Sequence, residues 1–435
     1  MGNAIKVGLI GFGTVGAGVA RGLLQKRRLL ERSVGGRVLL DRVCDQDFRR
    51  SRGFHLPVGL ATSDPGKILK DPAIQVVVEL IGGIEPAKTF ILEALRRGKH
   101  VVTANKALLA EAGRELFAAA AKANRELCFE ASVGGGIPIV KVLREGLVAN
   151  DLDAILGIVN GTSNYILTQM REQQLSFHEA LLEAKHHGYA ERNPSLDING
   201  HDAAHKLAIL TLLGFGRQVR LSDMHIEGIS AVSNADIQYA DELGYCIKPL
   251  AIAKIVDREL EVRVHPTLLA KTHLLANVNG VYNAIYVHGD LVGAELFYGR
   301  GAGQSPAASA VLSDIADVAR HAAMGIARPV QIGYANQRIR RLRPMDAIES
   351  RYYMRFLVID KPGVLAKIAG VLGRYHISIA SVHQKERRAA RMVPVVMMTH
   401  DAREANVQRA LATIDRMGVV RSPTVAIRTE APRTR

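Results

Sequence analysis

Between Gly188 and Lys206 the chain reads GYAERNPSLDINGHDAAHK, a stretch that carries Glu191, Asp197, Asp202 and Lys206. The run from Asp202 to Leu213 has helical composition. Residues four apart on a helix share one face, so Asp202 and Lys206 are expected to stand one above the other. Gly188 and Asn193-Pro194 place the first half of the stretch in a loop. A loop carboxylate facing a helical Asp/Lys pair can bind a small polar substrate by charge and move a proton through the amine. The same pattern also describes a solvated helix with an ordinary ion pair, which contributes little. Elements elsewhere in the chain decide between these readings.

The first of them lies at the N-terminus. Ile5 to Ile10 reads as a short apolar strand, followed directly by Gly11-Phe12-Gly13-Thr14-Val15-Gly16 and then by a helix from about Thr14 to Leu30. Strand, glycines and helix in this order make a dinucleotide-binding turn. Gly11 permits the turn, Gly13 lets the backbone approach a pyrophosphate, and Gly16 lets helix and strand pack closely. The helix N-terminus attracts the phosphates. A second strand near Val38–Cys44 ends at Asp45, a candidate partner for ribose hydroxyls. Arg49, Arg50 and Arg52 follow as candidates for a 2′-phosphate, or as a solvated basic turn. Further strands at Gln75–Leu80, Lys99–Thr103 and Leu127–Glu130 alternate with helices near Pro86–Arg97 and Lys106–Ala123, which predicts a doubly wound parallel sheet over residues 1–135. Gly82 and Lys106 stand at carboxyl ends of its strands, and Lys106 is expected to reach toward the nicotinamide.

The expected second domain, residues 136–304, opens after FEASVGGGIP, where Glu130 precedes three successive glycines. Such a turn exposes carbonyls to a hard cation, or is a flexible crossing between domains. Asn160 ends an expected strand from Ile155, and Thr162 and Ser163 are natural caps for the helix that follows. Strands at Leu250–Val256, Leu260–Val264, Ala284–Val287 and Val292–Phe297 suggest a mixed sheet. Gly299–Pro306 is a second glycine-rich turn ahead of a helix near Ala307–Ala323, which is expected to fold back on the first domain, with 305–345 completing it. Arg338–Arg343 reads as a basic linker. Residues 350–429 follow a βαββαβ, ferredoxin-like pattern, and 430–435 read as a disordered tail.

Composition bounds the function. The 435 residues carry 57 basic and 42 acidic side chains, a net charge of +15, which invites a nucleic-acid reading. The basic residues are dispersed, however, Trp is absent, and aromatics make up 5%, so base-stacking surfaces are poorly supplied. A cytosolic enzyme using anionic cofactors and substrates explains the charge at least as well. Cys44, Cys128 and Cys246 are widely spaced, which suits a reducing cytoplasm with neither a disulfide framework nor a zinc site. No apolar run reaches the length of a membrane span.

With these residues in view, the chain resembles the monofunctional bacterial homoserine dehydrogenases that carry a C-terminal ACT domain. The motifs are GFGTVG, TANK, FEASVGGGIP, NGTSNYILT, GYAE, DAAHKLAIL, GRGAG and DKPGVLAKIAGVL. The resemblance implies reversible NADP- or NAD-linked interconversion of L-homoserine and L-aspartate 4-semialdehyde, on the route to threonine, methionine and isoleucine. It implies Lys206 as proton donor and acceptor, with Asp202 positioning Lys206 and the substrate hydroxyl. Glu191 would hold the substrate amino group, Asp197 would contact substrate, and Lys106 would sit at the cofactor–substrate junction. Gly188 and Gly303 would border the cofactor. Glu130, with carbonyls of Val133, Gly135 and Ile137, would hold a structural sodium ion. A homodimer or homotetramer is implied, with threonine a possible effector at the ACT domain. Two positions depart from the family pattern: Asn193, where Asp is usual, and Ser378, where effector-binding relatives often have Asn.

Overall fold

The computed structural model describes residues 4–49, 52–328, 338–384 and 392–430. They form two compact units. The first holds the chain up to Leu152, together with His205–Leu221 and the stretch from Asn283 through the helix Gln304–Ala323. The second holds Asp153–Ala204, Ser222–Tyr282 and the tail from 338. The stretch expected as one middle domain is therefore divided between them, as is the helix His201–Phe215.

In the first unit β1 (Ile5–Ile10), β2 (Val38–Cys44), β3 (Ala61–Thr62), β4 (Val76–Glu79), β5 (His100–Thr103) and β6 (Leu127–Cys128) make a sheet ordered β3-β2-β1-β4-β5-β6. Every pair in it is parallel. Val7, Leu9, Val76, Val77, Val78, Val101 and Val102 are wholly buried, as a sheet covered on both faces requires. The expected helix from Thr14 to Leu30 is instead two, Thr14–Gln25 and Arg27–Val34, broken at Lys26. The break lets both Leu23 and Val34 enter one core. Ala308, Val311, Ile315 and Val318 of the helix Gln304–Ala323 lie in that same core. Leu312 fills the space that a side chain at Gly22 would occupy.

The second unit is built on a long hairpin, Tyr245–Val256 against Glu259–Ala270, with Leu152–Ile158 antiparallel to its first strand. Its sheet continues into the tail. The strand Val425–Glu430 lies parallel to Glu259–Ala270 and antiparallel to Tyr352–Ile359. Met392–Thr399 and then Ile379–His383 follow. With the helices Val364–Arg374 and Glu404–Ile414 this gives the βαββαβ order. Two expectations are corrected here. Glu430 does not begin a disordered tail: it pairs with Leu269, and Lys254 and Arg263 hold its carboxylate at 2.6 and 2.8 Å. Residues 431–435 lie outside the described residues. Arg338–Arg343 is not a plain linker: Arg341–Leu342 pairs with Glu259–Leu260, and Arg341 and Arg343 reach Glu259 at 2.6 and 2.9 Å.

The tail shares its core with the helical layer of this unit, because Tyr353, Val396, Met398 and Ile427 pack with Tyr165, Ile166, Ile237 and Leu268. Asp236, fully buried in the capping box that starts the helix Asn234–Glu242, accepts from Arg355 at 2.6 and 3.0 Å and from the Tyr353 hydroxyl at 3.0 Å. Arg428 forks onto Glu404 at 2.7 and 2.6 Å, and the Tyr352 hydroxyl adds a third bond at 2.6 Å. Burial pushes the Glu404 carboxyl up, but Arg428, Tyr352 and Gln408 outweigh this and hold it at about 2, against an ordinary 4.5. Its folded pKa lies below the unfolded one, so this stabilisation is complete above about pH 4.5 and is lost as pH falls toward 2. Urea unfolding across that window should show stability falling with a contribution from Glu404 approaching about 1.4 kcal/mol per pH unit. Glu404→Gln should flatten that part of the slope and leave the rest.

Candidate active site

The helix Gly161–Glu172 begins at Asn160, whose side-chain oxygen accepts the Ser163 N–H at 2.8 Å. The cap is thus Asn160, not Thr162 or Ser163 as expected. Those two hydroxyls turn instead to the neighbouring loop: Thr162 donates to the Tyr189 carbonyl at 2.7 Å and Ser163 to the Asp197 carbonyl at 2.9 Å. The Asn160 NH2 donates to Asp197 Oδ1 at 2.7 Å and to Asp202 Oδ2 at 2.8 Å. One amide therefore joins two carboxylates that lie on different elements, the short helix Ser195–Ile198 and the first turn of His201–Phe215. Lys206 lies one turn beyond Asp202, and both are buried, at 8% and 7% exposure, which removes them from the class of solvated surface pairs. Glu191 is exposed on the loop after Tyr189, and Gly188 has φ 72° with open space where a side chain would be. Asn193 accepts the Ser195 N–H and hydroxyl at 3.2 and 2.6 Å. Its oxygen therefore starts the turn into Ser195–Ile198, a task that an Asp oxygen performs equally well.

In the first unit Gly11 adopts φ 101°, and a Cβ on Gly13 would meet nothing within 4 Å. The helix Thr14–Gln25 starts at Gly13 with no side-chain cap. Open space beside Gly13 at a helix start without a side-chain cap fits a pyrophosphate. Asp45 accepts the Phe12 N–H at 2.6 Å, and Arg52 lies 3.7 Å from it with its guanidinium over the Phe12 ring. Arg52 is therefore fixed beside the glycine loop, whereas Arg49 is exposed and its backbone N–H donates to Asp47. Arg50 lies outside the described residues. Glu79, fully buried at the end of β4, accepts from the Thr103 hydroxyl at 2.6 Å and from the N–H groups of Ile81 and Gly82 at 2.8 and 3.2 Å. Thr103 in turn accepts the Asn105 N–H, and Asn105 donates to the Gly83 carbonyl and caps the helix that Lys106 begins. This network locks the loop at Gly82 to the helix start at Lys106.

The expected cation turn has a structural role of its own. Both Glu130 oxygens accept N–H groups, of Val140 at 2.8 Å and Lys141 at 2.9 Å. Val133 and Ile137 are buried, Ile137 closes a turn on Gly134, and Gly135 passes so near the Gly301 carbonyl that a Cβ would stand 2.5 Å from it. Gly303, φ 119°, caps the helix Gln304–Ala323. Among the described residues no group of three or more His, Cys, Asp or Glu side chains is placed to hold a metal.

Comparison with known proteins matches three successive stretches of the chain. A family model described as homoserine dehydrogenase, NAD binding domain, matches residues 11–130; one described as homoserine dehydrogenase matches 138–316; and the ACT domain model matches 352–418. The homoserine dehydrogenase of Neisseria gonorrhoeae is 43% identical over 98% of this chain and 99% of its own length; that of Pseudomonas aeruginosa is 41% identical with the same coverage. The chain belongs to the homoserine dehydrogenase family. The crystal structure of a homoserine dehydrogenase from Thiobacillus denitrificans superposes with a TM-score of 0.91 at 43% identity, covering 98% of both chains. A hyperthermophilic archaeal homoserine dehydrogenase in complex with NADPH matches 73% of this chain and 98% of its own, with a TM-score of 0.62 at 27% identity. The protein is accordingly an NAD(P)-dependent oxidoreductase with a Rossmann sheet, a mixed sheet and an ACT domain. No described helix is long and apolar enough to cross a membrane.

Asn160 and Glu79 were not visible as site residues in the sequence. Asn160 sits in an Asn-Gly pair that reads as a turn, and Glu79 ends an apolar strand where its partner, Thr103, is set only by the β4–β5 register. Glu79→Ala would leave the Ile81 and Gly82 N–H groups and the Thr103 hydroxyl without their acceptor. Fluorescence titration of the reduced cofactor should show affinity weakened about tenfold or more.

Proposed function

We propose that the protein interconverts L-homoserine and L-aspartate 4-semialdehyde, with Lys206 as proton donor and acceptor. The observation that carries the reading is the buried Asp202/Lys206 pair of positions, one turn apart, with Asp202 tied through Asn160 to Asp197. When bound, the nicotinamide supplies or accepts the hydride. Toward homoserine, negative charge grows on the aldehyde oxygen as its carbon gains hydride; the Lys206 ammonium stabilises that charge and gives the oxygen a proton. Toward the semialdehyde, neutral Lys206 removes the hydroxyl proton. Asp202 orients Lys206 and the hydroxyl, Glu191 and Asp197 receive the substrate ammonium, and Lys106 lies at the meeting of cofactor and substrate. Gly11, Gly13 and the helix start at Thr14 hold the pyrophosphate, with Phe12, Val15 and Gly16 shaping the loop. Gly82, Gly188 and Gly303 border the cofactor. Arg52, with Arg49, favours a 2′-phosphate and so NADP over NAD.

Further readings belong to this proposal. Burial raises the Glu130 carboxyl above its ordinary range despite the Val140 and Lys141 N–H bonds. A sodium ion beside it, held by the carbonyls of Val133, Gly135 and Ile137, would offset that cost. The ACT domain is proposed to take a small amino acid, with threonine the first candidate. Beyond these, the chain is proposed to act as a homodimer or homotetramer. The reaction places it in threonine, methionine and isoleucine biosynthesis, in the cytoplasm.

The test follows reduced-cofactor absorbance with homoserine and NADP, then NAD, at mildly alkaline pH, with and without threonine. Folded protein without turnover would refute the activity. Lys206→Ala should lower kcat by about 10²- to 10⁴-fold while cofactor affinity stays unchanged. A variant of near wild-type rate would remove Lys206 from the proton path.

A further inference from the structure

We propose that Arg428, on the last strand of the ACT domain, is a positioning residue for the substrate-binding carboxylates Asp197 and Asp202; this rests on the roles given above to those two residues. Arg428, Glu404, Glu227, Ile198, Asp197 and Asp202 all belong to the second unit. Arg428 is 4% exposed and divides its guanidinium: Nε and Nη2 bind Glu404, and Nη1 donates to Glu227 Oε2 at 3.0 Å. One cation thus ties the ACT helix Glu404–Ile414 to the segment 225–229 outside the ACT domain. His225 Nε2 is 3.4 Å from the same Glu227 oxygen. Burial would raise the Glu227 pKa, but His225 and Arg428 outweigh it and keep the carboxyl below its ordinary value, hence charged.

The segment that Glu227 anchors has little slack. His225-Ile226 pairs with Arg263-Val264, and the Glu227 N–H donates to the Val264 carbonyl at 2.8 Å. At Gly228 the chain runs so close to the Ser195–Ile198 helix that a Cβ would stand 2.3 Å from the Ile198 carbonyl oxygen. Ile229 then donates its N–H to that oxygen at 2.9 Å. On the far side of Ile198, a Cβ on Gly200 would be 3.2 Å from Ile226 and 3.3 Å from the Glu227 carbonyl. Residues 226–229 therefore hold residues 198–200 by backbone contact. Asp197 is the residue before Ile198, and Gly200 leads into Asp202. A shift of the Glu227 backbone moves the two carboxylates that Asn160 joins, and Arg428 fixes Glu227 from the ACT side. Displacing the strand Val425–Glu430 would therefore be felt at Asp197 and Asp202.

Steady-state kinetics on the full-length protein decide the matter. Glu227→Gln should raise the KM for homoserine about three- to tenfold, with kcat and the KM for cofactor within about twofold. Arg428→Gln should raise the same KM and also lower Tm, because Glu404 is left buried without its cation. The double variant should raise KM no further than the larger single change. Glu404→Gln, which keeps an acceptor for Arg428, should lower Tm and leave KM unmoved. An unmoved KM in Glu227→Gln, additive effects in the double variant, or a fall in kcat and Tm with both KM values rising together would overturn the positioning role. Wild-type protein with no homoserine turnover would overturn the underlying reading as well. Turnover with an unmoved KM overturns the positioning role alone.

Discussion

Asn160 uses both ends of its side-chain amide. The oxygen caps the helix Gly161–Glu172, and the nitrogen gives one hydrogen to Asp197 and the other to Asp202. Two carboxylates brought together repel each other and tend to take up protons unless donors separate them. The amide is that donor, and because its oxygen is bound to a helix start, its direction is fixed. The rest of the pocket is arranged to keep this geometry. Thr162 and Ser163 bind the carbonyls of Tyr189 and Asp197, Asn193 starts the turn into the short helix, and Asp202 sits one turn before Lys206.

The first unit holds its dinucleotide loops by the converse device, carboxylates that accept loop N–H groups. Glu79 gathers the Ile81 and Gly82 N–H groups and the Thr103 hydroxyl, and Asp45 gathers the Phe12 N–H. These side chains rigidify loops that must otherwise stay open to a ligand, in keeping with the open space before Gly13. The ACT tail is no loosely tethered module either. It continues the sheet of the second unit, contributes Tyr353 and Ile427 to its core, and closes the strand Val425–Glu430 with Glu430, whose carboxylate binds Lys254 and Arg263.

Much of this was legible in the sequence where the signal is local. Gly11–Gly16 after an apolar strand, the helix from Asp202 to Lys206, and the βαββαβ tail all appear close to where pattern places them. What escaped is set by distance along the chain. Nothing near Gln25-Lys26-Arg27 marks a helix break, since all three are good helix formers; the break follows from Leu23 and Val34 sharing one core. The role of Asn160 depends on Asp197 and Asp202, 37 and 42 residues away. Glu430 resembles a polar tail until its strand finds Leu269. The three glycines at 134–136 suggested a cation, and the close approach of Gly301 to Gly135 explains one of them without it.

The account depends most on the Asn160 amide, and Asn160→Asp isolates it. The substitution keeps size and the capping oxygen but replaces the shared NH2 with a third carboxylate oxygen. Steady-state kinetics with homoserine, beside cofactor titration and thermal melting, give the comparison. The account predicts a homoserine KM raised about tenfold or more, partly restored as pH is lowered, with cofactor affinity unchanged. An unchanged homoserine KM across pH, in folded protein, would contradict it.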